Sequence, residues 1–107
     1  MSGLGDMGNL LKQAQEMQRQ VDRVRRELNS TSVEGQSGGG AVRVEIATDR
    51  TEVRAVRISP EAASSGDHAM LEDLVVGALQ DALRRAAEAE REAIGRVTGG
   101  MHLPGLF

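Results

Sequence analysis

The chain has 107 residues, no cysteine and a single aromatic residue, Phe107, which excludes disulfides and thiolate chemistry and leaves Val, Leu, Ile, Ala and Met to build any core. A domain of that size buries about 60–65% of its unfolded surface, which points to modest stability and to a second copy as a partner. The net charge of −3 speaks mildly against nucleic acid, but the charge is uneven: Lys12 to Arg57 carries 9 basic residues against 7 acidic ones, and Ile58 to Phe107 carries 4 against 8.

The opening residues, MSGLGDMGNLLKQ, lack a basic start followed by an apolar run, and no segment approaches the roughly 20 apolar residues of a membrane span, so the chain reads as cytoplasmic. From Met7 to Leu28 the apolar residues Met7, Leu10, Ala14, Met17, Val21, Val24 and Leu28 alternate by three and four. This heptad pattern predicts a helix with one narrow seam facing another helix. Asp6 is its expected N-cap, and Asn29 to Ser32 its stop. With Met7 at the first heptad position, Lys12, Arg19 and Arg26 fall opposite the seam, in a line with a rise of about 10 Å between members. Spacing alone favours a solvated helix back, with Lys12–Glu16 and Asp22–Arg26 as i,i+4 pairs.

Val33 opens a short extended segment, and Val42, Val44 and Ile46 then alternate with Arg43 and Glu45, as a strand with one buried face requires. A second alternation holds Val56 and Ile58 on one side and Val53, Ala55 and Arg57 on the other, after a turn in which Asp49 is the most turn-prone residue. Ser59-Pro60 ends it, because proline cannot donate to a ladder. These segments predict an antiparallel meander of about three strands whose apolar face needs a cover. The cover is a second helix from about Asp67 to about Val97, following a flexible EAASSG. Its front half carries Leu71, Leu74, Val75, Ala78, Leu79 and Ala82, and its charged back half is expected to project beyond the core. Gly77 marks either close packing or a weak point in that helix. The tail TGGMHLPGLF ends the helix at Gly99-Gly100 and adds Leu103, Leu106 and Phe107.

The glycines of SVEGQSGGGAVRVEI invite a phosphate-loop reading. A phosphate loop needs a lysine and a hydroxyl after its last glycine and then a helix N-terminus, whereas Gly38-Gly39-Gly40 is followed by Ala41-Val42-Arg43 and a strand. The glycines therefore read as a sharp corner between strands. His68 and His102 have no ligand neighbour at metal spacing and fall in segments expected to be mobile, the serines lack a nucleophile setting, and Glu72-Asp73 reads as negative charge near a helix N-terminus. No catalytic constellation, cofactor site or metal site is expected, and the chain does not read as an enzyme.

Five stretches in this order, MGNLLKQAQEMQ, VEGQSGGGAVRV, VRISP, LEDLVVGALQDALRRAAEA and GGMHLPGLF, resemble the YbaB/EbfC family of bacterial nucleoid-associated proteins over nearly the whole chain. The resemblance implies an α+β fold, an α-β-β-β-α subunit with a three-stranded antiparallel sheet and two long helices, forming a tweezer-like homodimer. It implies one domain over residues 1–107, with 1–6 and 99–107 as flexible or partner-docked ends. It also implies binding of double-stranded DNA, a nucleoid location, roles in chromosome organisation and gene expression, and an association with replication and recombination. Lys12 falls within the first-helix motif. Arg19, Arg23, Arg25 and Arg26 continue that helix, and Arg84 and Arg85 lie in the matched part of the second, which together makes the expected DNA-binding set. With no internal aromatic to stack on unpaired bases, duplex DNA is the expected target, and an adaptor for replication or recombination proteins, using the seam and the apolar tail, is the alternative. Two departures stand out: TDRTEV lacks the glycine usual in the family's hairpin, and Gly77 replaces a usual alanine.

Overall fold

A computed structural model describes residues 3–99. Helix α1 spans Gly3–Ser30, strands β1, β2 and β3 span Ser32–Ser37, Val42–Ala47 and Val53–Ile58, a short helix α2 spans Pro60–Ser64, and helix α3 spans His68–Thr98. The strands form one antiparallel sheet in the order β1-β2-β3, with Val33 opposite Ile46 and Val44 opposite Val56. The α-β-β-β-α order expected from the sequence is thus present, with α2 as an insertion.

The local signals account for most boundaries. The Asp67 carboxylate accepts the Met70 amide at 3.0 Å and caps α3. His68, expected to be mobile, is the first residue of that helix. At the other end Gly99 adopts the left-handed conformation (φ 64°), and its amide donates to the Gly95 carbonyl. The segment after Ser59 is a helical turn and not a flexible link: the Ser59 hydroxyl accepts from Ala62 at 3.1 Å, and Pro60 occupies the first helical position, where its missing N–H costs nothing. Asp6 is not the N-cap of α1; the helix begins at Gly3 and Asp6 lies in its first turn. Residues 3–6 are helical, while the expected flexible or docked tail falls, Gly99 aside, outside the described residues.

The main core forms where α3 crosses β1 and β2. Val42, Val44 and Ile46 are buried against Ala78, Ala82 and Ala86, with Val33, Leu71, Leu74, Val75 and Leu79 packed around them. Alanine at the three fully buried positions of α3 brings helix and strand backbones together, and Gly35 makes the approach possible: a Cβ there would stand 2.2 Å from the Ala82 nitrogen and 2.3 Å from the Ala78 carbonyl oxygen. Gly77 belongs to the same seam, since a Cβ added to it would come within 3.3 Å of the Ser37 Cβ; it marks close packing. Gly38, Gly39 and Gly40 all have positive φ (60°, 65° and 94°) in a single 3-10 turn from β1 to β2, so they are the corner that the sequence suggested.

The β2–β3 turn manages without glycine. Arg50 takes the left-handed conformation (φ 64°) and its amide donates to the Ala47 carbonyl at 2.8 Å. Asp49 supports the turn by accepting the Thr51 amide at 3.1 Å and the Asn29 side-chain amide at 2.9 Å. The Arg50 side chain then pairs with Glu90 on α3.

A second cluster joins the two long helices. Val21, Val24 and Leu28 of α1 bury Ile94 of α3, flanked by Met17, Ala93 and Val97. The charged back half of α3 does run beyond the sheet core, as expected, but not alone: Ala93, Ile94 and Val97 form a narrow stripe that the α1 seam accepts. What projects past this contact is the N-terminal half of α1, where Met7, Leu10 and Leu11 are 61–65% exposed. The molecule is accordingly elongated, 76 × 21 × 16 Å.

Candidate nucleic-acid interface

The basic residues divide into two groups according to what holds them. Those of the sheet are engaged within the molecule. Arg43 and Arg57 share Glu34 at 3.6 and 3.8 Å, and Arg57 also reaches Glu45 at 3.5 Å. Arg54 pairs with Glu52 at 2.8 Å and donates to the carbonyls of Thr31 and Asn29, placing a cation at the C-terminal end of α1, where the helix dipole favours one. The sheet's charged face is thus close to balanced, though its pairs are exposed.

Arg84 and Arg85 are also committed. Both bind Asp81, Arg85 at 3.1 Å, and Asp81 further accepts the Gln36 amide of β1 at 3.0 Å. That amide, followed by the two arginines, holds the Asp81 carboxyl below its ordinary value against the opposing effect of burial. These guanidinium groups remain exposed, but they sit over the sheet, away from the projecting part of α1, with much of their charge answered by one carboxylate.

The face of α1 opposite the seam is different. Lys12, Arg19 and Arg26 are exposed there, and Arg23 and Arg25 are exposed to either side of that line. Neither expected i,i+4 pair forms: Glu16 takes Arg19 at 3.1 Å, and Asp22 accepts the Gln18 amide at 3.0 Å. Lys12 and Arg26 consequently make no ion pair among the described residues, and the Arg23–Glu27 pair, at 3.9 Å, is at the limit of contact. Such exposed pairs are worth little and yield readily to a phosphate.

The structure adds a residue that the periodicity did not single out. Arg96, in the last turn of α3, lines a groove between the helices together with Gln20, Arg23, Glu27 and Thr31. Its signal was its spacing, two residues beyond Ile94, but that signal becomes legible only once Ile94 is known to seat α3 on α1. Among the described residues no group of His, Cys, Asp or Glu could hold a metal ion, and no helix is long and apolar enough to cross a membrane.

A separate apolar surface lies beside the core. β3 is an edge strand, and a bulge opposite Glu45 and Ile46 turns Val53, expected on the other side, to the side of Val56 and Ile58; all three face the same side as Val44 and remain 41–57% exposed because α3 covers β1 and β2 instead. On α3, Gly77 and Leu74 meet Ser37 on the β1 side. Val76 and Leu83 lie on the opposite flank of α3, also exposed. An open strand edge beside a continuous apolar strip is a surface that invites pairing.

With this geometry in place, comparison with known proteins is informative. Residues 3–101 match the YbaB/EbfC DNA-binding family. Proteins named nucleoid-associated protein from Acetivibrio thermocellus and Clostridium perfringens are 45% and 44% identical, over 96% and 98% of this chain and 91% and 93% of theirs. One of the same name from Alkaliphilus metalliredigens is 39% identical over the whole chain and 93% of its own. The crystal structure of an uncharacterized protein, HP0035, from Helicobacter pylori shares the fold, with a TM-score of 0.70 at 20% identity over 92% of this chain and 99% of that one.

Proposed function

Because the chain belongs to the YbaB/EbfC DNA-binding family, whose members are nucleoid-associated proteins and not enzymes, we propose that it binds double-stranded DNA as a homodimer, chiefly through phosphate contacts, in the bacterial nucleoid. The observation that carries this reading is α1, where Lys12, Arg19 and Arg26 line the outward face, flanked by the exposed Arg23 and Arg25, and where Lys12 and Arg26 make no ion pair among the described residues, while Arg43 and Arg57 of the sheet each face a carboxylate. The charge that the whole chain lacks is thus concentrated where it can meet a polyanion. Neutralised phosphates release counterions, which gives affinity with little sequence readout and suits organisation of the chromosome and broad effects on gene expression. The strip of Val53, Val56, Ile58, Val76 and Leu83 beside the open β3 edge is the surface on which a second copy would pack, bringing two α1 arms into one particle.

The test is salt dependence. Protein that sediments as a single dimeric species is titrated into a labelled duplex of about 30 base pairs, and affinity is followed with salt. Neutralising about 4–8 phosphates gives a log–log slope near −4 to −7. Replacing Lys12, Arg19 and Arg26 together by glutamine should flatten the slope by about 0.9 for each phosphate left without its cation, with a smaller effect from Arg84→Gln and Arg85→Gln because Asp81 already answers their charge. An unchanged slope would remove α1 from the interface. Absence of binding at low salt would favour an adaptor for replication or recombination proteins, for which the exposed Met7, Leu10 and Leu11 offer an apolar contact.

A further inference from the structure

Helix α1 is held at two places of different kinds. Around Ile94 it is gripped by apolar side chains of α3, a patch about which a helix can still pivot. Its C-terminal end is fixed by polar contacts to the β2–β3 turn. There the Arg54 guanidinium, on β3, donates to the carbonyl oxygens of Asn29 and Thr31, the latter at 2.9 Å, while its Nε holds Glu52 at 2.8 Å. The Asn29 side-chain amide donates to Asp49 at 2.9 Å and to the Thr51 hydroxyl at 3.2 Å. The Thr48 amide also donates to the Thr31 carbonyl at 3.1 Å, and the hydroxyls of Thr31 and Thr48 meet at 2.8 Å. Thr48 is the one buried polar side chain among the described residues. The same turn reaches α3 through Arg50 and Glu90, so turn, α1 and α3 form a closed triangle.

We propose that Arg54 is a positioning residue for DNA binding: its fork locks the end of α1 to the turn and thereby aims the basic line of Lys12, Arg19 and Arg26, a role that rests on the nucleic-acid reading above. Arg54 suits this role and not a phosphate contact. Its side chain is 27% exposed, against 70% for Arg19, and all three of its nitrogens are engaged by the chain itself. A guanidinium is planar and rigid, so bonds to two carbonyls and a carboxylate hold those groups at fixed angles, which a flexible ammonium does not. Leverage does the rest. From Asn29 to Lys12 the helix rises about 25 Å, so a tilt of about 10° at the joint displaces Lys12 by about 4 Å. A displacement of that size takes a cation out of contact with a phosphate, and an arm free to wander must be ordered on binding at a cost in affinity.

The chain has no native cysteine, so a pair of labels reports without interference. Gln13→Cys on α1 and Gln80→Cys on α3, both at exposed positions, carry nitroxides in the full-length protein. The labelled protein is diluted into excess unlabelled protein, so that distances within one chain are read by pulsed electron paramagnetic resonance. The proposal expects a narrow distance distribution that broadens or shifts in Arg54→Met and again in Asn29→Ala, which undoes the same joint at the Asn29 amide. It expects no change in Arg43→Met, where a sheet arginine loses its pair with Glu34 away from the joint. An unchanged distribution in both joint variants overturns the proposal, as does equal broadening in Arg43→Met, which would be a general loosening of the fold. Titration into a labelled duplex then separates aiming from contact. Arg54→Met should weaken binding several-fold at every salt concentration and leave the log–log slope as it was. A slope flattened by about 0.9 would mean that Arg54 itself meets a phosphate, and an unchanged affinity would mean that the direction of the arm is immaterial; either overturns the positioning role. If the unaltered protein fails to bind DNA, the nucleic-acid reading fails on its own, and the distances still decide whether Arg54 holds the arm.

Discussion

The two packed clusters of this molecule are built in opposite ways. Where α3 crosses the sheet, contact is made by backbones: Ala78, Ala82 and Ala86 are fully buried, and Gly35 leaves no room for even one carbon. Where α3 meets α1, contact is made by side chains, with Ile94 inserted among Val21, Val24 and Leu28. The first arrangement has no slack and fixes the helix on the sheet as one body. The second is a short stretch of interdigitated branched side chains that attaches an arm. For the DNA binding proposed above both would serve, because the rigid part sets the direction of α3 and the attached part carries the basic line of α1 outward.

The sharpest way to break the comparison is at Gly35. Gly35→Ala puts a carbon against backbone atoms of α3 that cannot rotate away, so the helix must lift from the sheet and uncover the main core. A loss at the upper end of overpacking costs, about 3 kcal/mol, is expected in urea denaturation. A near-native midpoint would mean that α3 slides on the sheet and that the two clusters are alike after all.

Ile94→Ala addresses the other cluster. Ile94 is 2% exposed, and shortening a buried isoleucine to alanine costs about 2–5 kcal/mol; the lower end is expected because α1 can partly close over the gap. The distinguishing feature is where the loss appears. Amide exchange should quicken in α1 from Met17 to Leu28 while β2 keeps its protection. Equal loosening of β2 would show that the arm and the body unfold as one unit.

This division also explains what could be read from the sequence. Periodicity gave the helices and strands, and capping residues such as Asp67 and Ser59 set boundaries, because those signals are local. The heptad of α1 announced a seam, but nothing local says which helix fills it: the charged composition around Ile94 suggested a bare projection beyond the sheet, and three residues, Ala93, Ile94 and Val97, were enough to seat that projection on α1. The spacing of Asp81 from Arg84 and Arg85, three and four residues, was open to reading as local ion pairs, whereas the Gln36 amide that meets Asp81 lies 45 residues away and no local signal announces it. The basic face of α1 was legible as a line, yet its separation from the paired sheet arginines depends on cross-strand register, which a sequence does not display.

That same Asp81 gives the mildest test of the body's construction. Its carboxyl is held below the ordinary value of 3.8 mainly by the Gln36 amide and then by Arg85 and Arg84, so the folded protein binds that proton less tightly than the unfolded chain does. The stabilisation is complete above the ordinary value and fades as pH falls through it toward the folded one. Asp49, lowered by Thr51 and Asn29, acts in the same direction in the turn that ties the sheet to the end of α1. In urea midpoints measured from about pH 6 to about pH 2, Asp81→Asn should flatten the acid limb without abolishing it, since Asp49 continues to contribute. Parallel acid limbs for the two proteins would mean that the Gln36–Asp81 clamp adds nothing to the seating of α3, leaving the approach at Gly35 to hold helix and sheet together alone.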